Sequence, residues 1–269
     1  MDDLTKRVEF ARVIASEAGK ILLGFQEKGF KEHKKGAVDF VTDADQAAEE
    51  FLTKKVMKNF ANDAIFAEEG GGHFASDGFS WLIDPLDGTT NFLHGVPHYA
   101  VSVGIAFEGV PVGGAVLDPH RDELFWCIRG QGAYLGTEKI CVSKRNGLSD
   151  ALLATGFPYN RRKNASDILA RVERALLAAH GIRRCGAAAL DLCWLACGRF
   201  DGFFEQTLNA WDTCAGVAIV WEAGGTVSDY HGNPFLLKSP GLVACNSLFH
   251  DDLLWKVVTL RPGESSGLD

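Results

Sequence analysis

The chain has 269 residues and 46% hydrophobic content, enough to bury a large core as one domain or two closely joined lobes. A charged fraction of 23% matches a globular protein, and a net charge of −8 removes any general electrostatic pull toward nucleic acid or anionic membranes. No apolar run approaches bilayer-spanning length, and the Met1-Asp2-Asp3-Leu4 start lacks the basic and apolar regions of a signal peptide, so a soluble cytoplasmic protein is expected.

Leu4, Val8, Ala11, Ala15, Ala18 and Leu22 recur at helical spacing and predict a first helix. A second follows with Ala47, Phe51, Leu52 and Val56 facing inward, capped by Thr42 or Asp43. Residues 64–67 form a short apolar strand ending in Glu68-Glu69, with a flexible glycine loop at 70–72. Residues 81–83 form another, expected to stop at Asp84 because Pro85 has no N–H for a ladder. A β-meander is predicted over 99–107, 111–117, 123–128 and 133–135, with turns at Gly109, Asp118-Pro119 and Gly130.

The stretch 143–150 is the one candidate lobe boundary, dividing lobes 1–145 and 146–260. Beyond it, strands are expected at 152–154, 200–204, 226–228 and 242–244, and helices at 165–179, 186–197, 211–223 and 248–258. The polar tail 261–269 is expected to fray. Helices and strands alternate at both ends around the meander, a pattern of layered sheets and helices. The seven cysteines are odd in number and scattered among apolar neighbours, which reads as reduced thiols packed as small hydrophobes. Cys193 and Cys197 stand one helical turn apart, but no second pair follows at zinc-finger spacing.

The chemistry is concentrated in Trp81-Leu-Ile-Asp-Pro-Leu-Asp-Gly-Thr89. A rigid proline between Asp84 and Asp87 lets both carboxylates converge, Gly88 admits close backbone approach, and Thr89 adds a hydroxyl. Hard oxygen donors of this kind suit Mg²⁺. Taken alone, the same residues also fit an Asx-type turn with a helix cap. Glu68, Asp45 and Asp212 add carboxylates at other element ends, and a buried acidic cluster is costly without cations.

These residues resemble the inositol monophosphatase family of fructose-bisphosphatase-like, lithium-sensitive phosphatases, and bacterial members in particular. The resemblance rests on Val41-Thr-Asp-Ala-Asp45, Phe66-Ala-Glu-Glu69, Trp81-Leu-Ile-Asp-Pro-Leu-Asp-Gly-Thr-Thr-Asn-Phe92, Thr155-Gly-Phe-Pro-Tyr159, Gly186-Ala-Ala-Ala-Leu-Asp191, Trp211-Asp-Thr-Cys-Ala-Gly216 and Glu222-Ala-Gly-Gly225. It implies an α/β (α+β) fold, a layered αβαβα sandwich over a single domain, 1–269. It implies two or three Mg²⁺ ions, held by Glu68, Asp84, the Leu86 carbonyl, Asp87 and Asp212. It implies catalytic roles for Glu68, Thr89 and Asp45. Substrate contacts would come from Asp87, Gly88, Thr89, Gly186, Ala187, Ala188, Glu205 and Asp212.

The resemblance further implies hydrolysis of small phosphate monoesters, with myo-inositol 1-phosphate the leading substrate, inhibition by Li⁺, and a homodimer. Fructose-1,6-bisphosphatase and histidinol-phosphate phosphatase are the enzymatic alternatives; a regulatory protein-binding role on the same fold is the alternative of another class. Ala187 stands where the family often has a hydroxyl residue, which removes a hydroxyl near the substrate. Asp191 is expected to pair with Arg183 or Arg184, because a buried carboxylate usually needs a cation. Trp211 reads as packing, and His94 and His98 are left outside the catalytic set.

Overall fold

The computed structural model describes residues 2–34, 40–158 and 161–260; the tail at 261–269 and Tyr159 lie outside the described residues. Helix α1 (Asp3–Lys28) starts where the Asp2 carboxylate accepts the Thr5 N–H at 2.7 Å. It buries Val8, Ala11, Ala15, Ala18 and Leu22, the predicted stripe without Leu4. A short hairpin, β1 (Glu32–Lys34) and β2 (Phe40–Thr42), leads into α2 (Asp43–Asn59). Of the two candidate caps, Thr42 is the N-cap: its hydroxyl accepts the Ala44 and Asp45 N–H groups.

Next come β3 (Ala64–Ala67), β4 (Gly71–Gly72), β5 (Phe79–Asp87), a short α3 (Thr89–Leu93), β6 (Ala100–Phe107), β7 (Val110–Asp118), β8 (Glu123–Ile128), β9 (Gly132–Leu135) and β10 (Glu138–Ile140). Strands β3 to β10 form one sheet in the order 10-9-8-7-6-5-3-4, antiparallel except between β3 and β5. The chain continues with β11 (Leu152–Thr155), α4 (Ala165–Ala178), β12 (Gly181–Arg183), α5 (Ala188–Ala196), β13 (Gly202–Gln206), α6 (Ala210–Glu222), β14 (Thr226–Ser228), β15 (Gly241–Cys245) and α7 (His250–Leu253). These five strands form a second, mixed sheet ordered 12-11-13-15-14.

The layers follow from which faces are apolar. Helices α1 and α2 pack on one face of the large sheet, while α5 and α6 fill the space between the sheets. Helices α4 and α7 cover the outer side of the small sheet. The result is the expected αβαβα sandwich. Helix α6 is buried nearly all round, consistent with its central place. It approaches β6 so closely that a Cβ on Gly104 would lie 2.7 Å from the Cys214 side chain.

Several expectations change in detail. The glycine loop at 70–72 contributes a pair of residues, β4, to the sheet. The helix expected from 186 starts at Ala188, because Gly186 adopts a positive φ of 93°. The helix expected over 248–258 is a short α7 followed by a π-helical turn, Leu254–Val258. The largest change concerns β5, which runs past Pro85 to Asp87 instead of stopping at Asp84. Asp84 pairs with Ser102 and Asp87 with Ala100, so β5 carries one extra residue in a bulge. A bulge tolerates proline because the ladder is already interrupted there. The bulge also has a chemical consequence: residues three apart normally face opposite sides of a strand, and one extra residue restores them to the same side.

Candidate active site

The carboxylates singled out in the sequence are brought together by element ends. Glu68 follows β3, Asp84 and Asp87 sit on the bulged end of β5, and Asp212 opens α6. All four line one cleft of about 280 Å³. Leu86, Gly88, Thr89, Gly186, Ala188 and Glu205 line it too. Of the remaining expected residues, Asp45 stands behind Thr89, and Ala187 is buried next to Gly88.

Each acidic side chain is held by an identifiable local device. Asp45 and Asp212 both occupy the third position of a capped helix. Thr42 N–H donates to Asp45 at 2.8 Å, and Asn209 N–H donates to Asp212 at 2.7 Å. The positive end of each helix dipole favours a carboxylate there. Asp84 accepts the Leu86 N–H at 3.0 Å within the bulge. Asp87 reaches across to α5 and accepts the Ala188 and Ala189 N–H groups at 3.1 and 2.7 Å. Asp87 therefore also satisfies the first turn of α5, which otherwise has no side-chain cap.

Thr89 Oγ1 lies 3.3 Å from Asp45 Oδ1 and 3.1 Å from the Leu86 carbonyl. Gly88 between them has φ of 94°, a left-handed conformation that a residue with Cβ adopts at a cost. A Cβ there would also press on the Gly186 and His98 carbonyls at 3.2 Å.

Burial and mutual repulsion set the charge state of the cluster. Asp84 is pushed well above the carboxylate range, first by burial, then by Glu68, Asp87 and Asp212. Burial raises Asp87 to about 6 against the opposing N–H groups of α5. It raises Asp212 to about 8, with Asp87 and Glu205 adding to the shift. Glu205 also rises to about 8 through burial, held back by Arg184. Asp212 and Glu205 retain some surface at the cleft mouth, yet protein atoms surround both carboxyl groups. Several carboxylates so placed are stable as anions only beside a cation, and an all-oxygen donor set fits a hard divalent ion.

Some residues escaped the sequence reading. Glu49 accepts the Glu69 and Gly70 N–H groups at 2.7 and 2.5 Å and so fixes the loop that carries Glu68. Its helical spacing from Asp45 was the available signal. Asn91 Nδ2 donates to the His98 and Cys185 carbonyls at 2.6 and 2.9 Å, tying α3 to the loop before α5. Phe157, Arg161, Arg184, Thr207 and Asn209 form the opposite rim. Arg161 and Arg184 bring two cations to the lining of the acidic cleft. Asp191 departs in part from its expected pairing: among the described residues it forms no ion pair with Arg183 or Arg184, although Arg184 still favours its charge from a distance, and its side chain meets the Cys185 thiol and, at 3.9 Å, His98 Nε2. Helix α5 turns Asp191 inward, whereas Arg183 and Arg184 are exposed. Trp211 packs its ring against Phe66 at 4.7 Å, as expected of a packing residue.

Comparison with known proteins places the chain in a family. The model of the inositol monophosphatase family matches residues 3–260. The chain is 43% identical to the Nus factor SuhB of Pseudomonas aeruginosa, with 86% of each chain covered. It is 42% identical to the inositol-1-monophosphatase of Rhizobium meliloti, over 79% of this chain and 80% of the relative. Among solved structures, the inositol monophosphatase from Anabaena superposes with a TM-score of 0.88 at 35% identity, covering 97% of this chain and 99% of the other. The chain belongs to the inositol monophosphatase family, and with it to the phosphoric monoester hydrolases.

Proposed function

We propose that this protein hydrolyses small phosphate monoesters in a Mg²⁺-dependent reaction, with myo-inositol 1-phosphate as the leading substrate. The observation that carries the reading is the convergence of Glu68, Asp84, Asp87 and Asp212 on one wall of a cleft, beside the Thr89–Asp45 pair. Glu68, Asp84 and the Leu86 carbonyl would hold one ion; Asp84, Asp87 and Asp212 would hold a second; a third, weaker one would sit near Glu68. Ions bound there would supply charge neutralisation to the phosphate and leaving oxygen, and would acidify a water.

The chain's own residues do the rest. Thr89 orients the attacking water in line with the phosphorus. Asp45, which burial raises to about 6, accepts the proton through the Thr89 hydroxyl. The Gly88 and Thr89 N–H groups face the phosphate oxygens. Glu205 and the Gly186, Ala187 and Ala188 backbone receive the polyol hydroxyls, with Asp87 and Asp212 alongside. Arg161 and Arg184 attract the anion from the rim. Fructose 1,6-bisphosphate and histidinol phosphate are the competing substrates.

Phosphate release across these three esters, with and without Mg²⁺, is the decisive test. Turnover that a chelator abolishes is expected; no turnover of any, or turnover indifferent to chelator, overturns the reading. Lithium inhibition and a homodimer, checked by light scattering, are expected with it. The relatives named Nus factor SuhB support a second reading, a regulatory binding role on the same fold. An inactive Asp87→Asn protein that still restores a deletion strain would favour that role.

A further inference from the structure

Behind the loop 186–188 lies a second group of potential ligands that the reaction does not use. His98 precedes β6, Cys185 lies between β12 and α5, and Asp191 stands on the first turn of α5. Their donor atoms all lie within 4.8 Å of one another, and His98 Nε2 is 3.9 Å from Asp191 Oδ1. Asp191 is 1% exposed and His98 7% exposed. Among the described residues His98 Nε2 has no hydrogen-bond partner, while the Cys185 thiol lies against the Asp191 carboxyl as a hydrogen-bond donor. A buried imidazole nitrogen without a partner, facing a thiol and a buried carboxyl, is an expensive arrangement unless something binds it.

We propose that His98, Cys185 and Asp191 form a second cation site, for a borderline metal of the Zn²⁺ class, distinct from the all-oxygen cage in the cleft. The donor chemistry selects the ion. Imidazole nitrogen, thiolate sulfur and carboxylate oxygen together suit zinc-class metals and not magnesium. A thiolate and a carboxylate carry two negative charges, so one divalent ion leaves the buried site neutral. At zinc bond lengths the edge of a coordination tetrahedron is about 3.3–3.6 Å, a spacing that small side-chain rotations reach from the observed one. His98 is neutral, the form that binds metals, because burial and then Arg121 push it down to about 4.

The surroundings are already arranged for such an ion. Asn91 holds the carbonyls of both His98 and Cys185, so the two ligand-bearing loops are fixed together before any ion arrives, and the third residue stands on helix α5. Burial, then Glu205 and Asp87, push Asp191 well above the carboxylate range against the Cys185 thiol and Arg184, and burial raises Cys185 to about 12, so a cation bound here would displace their protons. A metal here would clamp the loop 186–188, the backbone of the substrate side, against α3 and α5. It would act as a structural pin behind the cleft.

Cobalt serves as the spectroscopic probe. Chelator-stripped full-length protein, with Mg²⁺ in large excess, is titrated with Co²⁺. One equivalent should generate a near-ultraviolet thiolate-to-cobalt absorption band. That band should be lost in Cys185→Ser and retained in Glu68→Gln. No band in the wild-type protein, or the same band in Cys185→Ser, overturns the proposal. X-ray absorption at the zinc edge of wild-type protein needs no variant. One sulfur at about 2.3 Å with nitrogen and oxygen near about 2.0–2.1 Å is expected; a shell without sulfur overturns the site.

Discussion

The two walls of the cleft are built on opposite principles. The wall on the large sheet is a cluster of acids held by short local devices: a bulge at Pro85, a capping box at Thr42, and the backbone grip of Glu49 on the loop of Glu68. The wall on the small sheet offers a mixed rim of Phe157, Arg161, Arg184 and Glu205. On the proposed function, the acidic wall costs folding energy that bound cations would return, and the rim, with Glu205 its one buried carboxyl, would decide what may enter. Helix α6 joins the two, lying against β6 while presenting Asp212 to the cleft. Reaction and selection are thus separable by mutation, except where α6 is disturbed.

The sharpest way to break that separation is Asp84→Asn. The rate constant should fall by at least about 10²–10³-fold, while the metal-free protein keeps or gains thermal stability because a carboxyl whose ionised form burial and its neighbours disfavour has been removed. Near-wild-type turnover, or a large loss of melting temperature without metal, would contradict the account. Asp87→Asn should be equally inactive without unfolding, yet cost about 1 kcal/mol, because an amide offers one acceptor oxygen where Ala188 and Ala189 need two. Denaturant unfolding of the two variants without metal measures the contrast.

Gly104→Ala tests the link between the walls. The new methyl group meets Cys214, so a loss of about 1–3 kcal/mol is expected together with weaker metal binding, as α6 carries Asp212 away. Stability loss with unchanged metal affinity would show that α6 is less rigid than supposed. On the rim, Arg184→Ala should raise KM for a phosphate ester about 5–20-fold with little change in kcat, the mark of uniform binding. A fall in kcat alone would move Arg184 into the reacting set.

The smallest effect is expected far from both walls. Arg199 donates to both Glu123 oxygens at 2.5 Å, and this pairing holds Glu123 below its ordinary 4.5. A lowered acid stabilises the fold above its unfolded value and loses that contribution as pH falls through its folded value. Glu123→Gln should therefore cost about 0.5–1 kcal/mol near neutrality, discounted for the partly exposed pair, and nothing in strong acid. Chemical denaturation at several pH values checks it.

The sequence by itself placed the carboxylates of the acidic wall, while their expected role as a set came from the family resemblance. Asp45, Glu68, Asp84, Asp87 and Asp212 stand at element ends, where capping and turn preferences are local and readable, and the helical and strand periods gave the layers. The tertiary structure decided the rest. The bulge that turns Asp84 and Asp87 to one side depends on pairing with β6, and the N–H groups that Asp87 satisfies lie about a hundred residues away on α5. Arg161 and Arg184 meet that wall only in the fold, and Asp191 feels its expected Arg184 only at a distance because α5 points it inward beside His98 and Cys185. Local rules fix which residues can end an element; only packing fixes which ends meet.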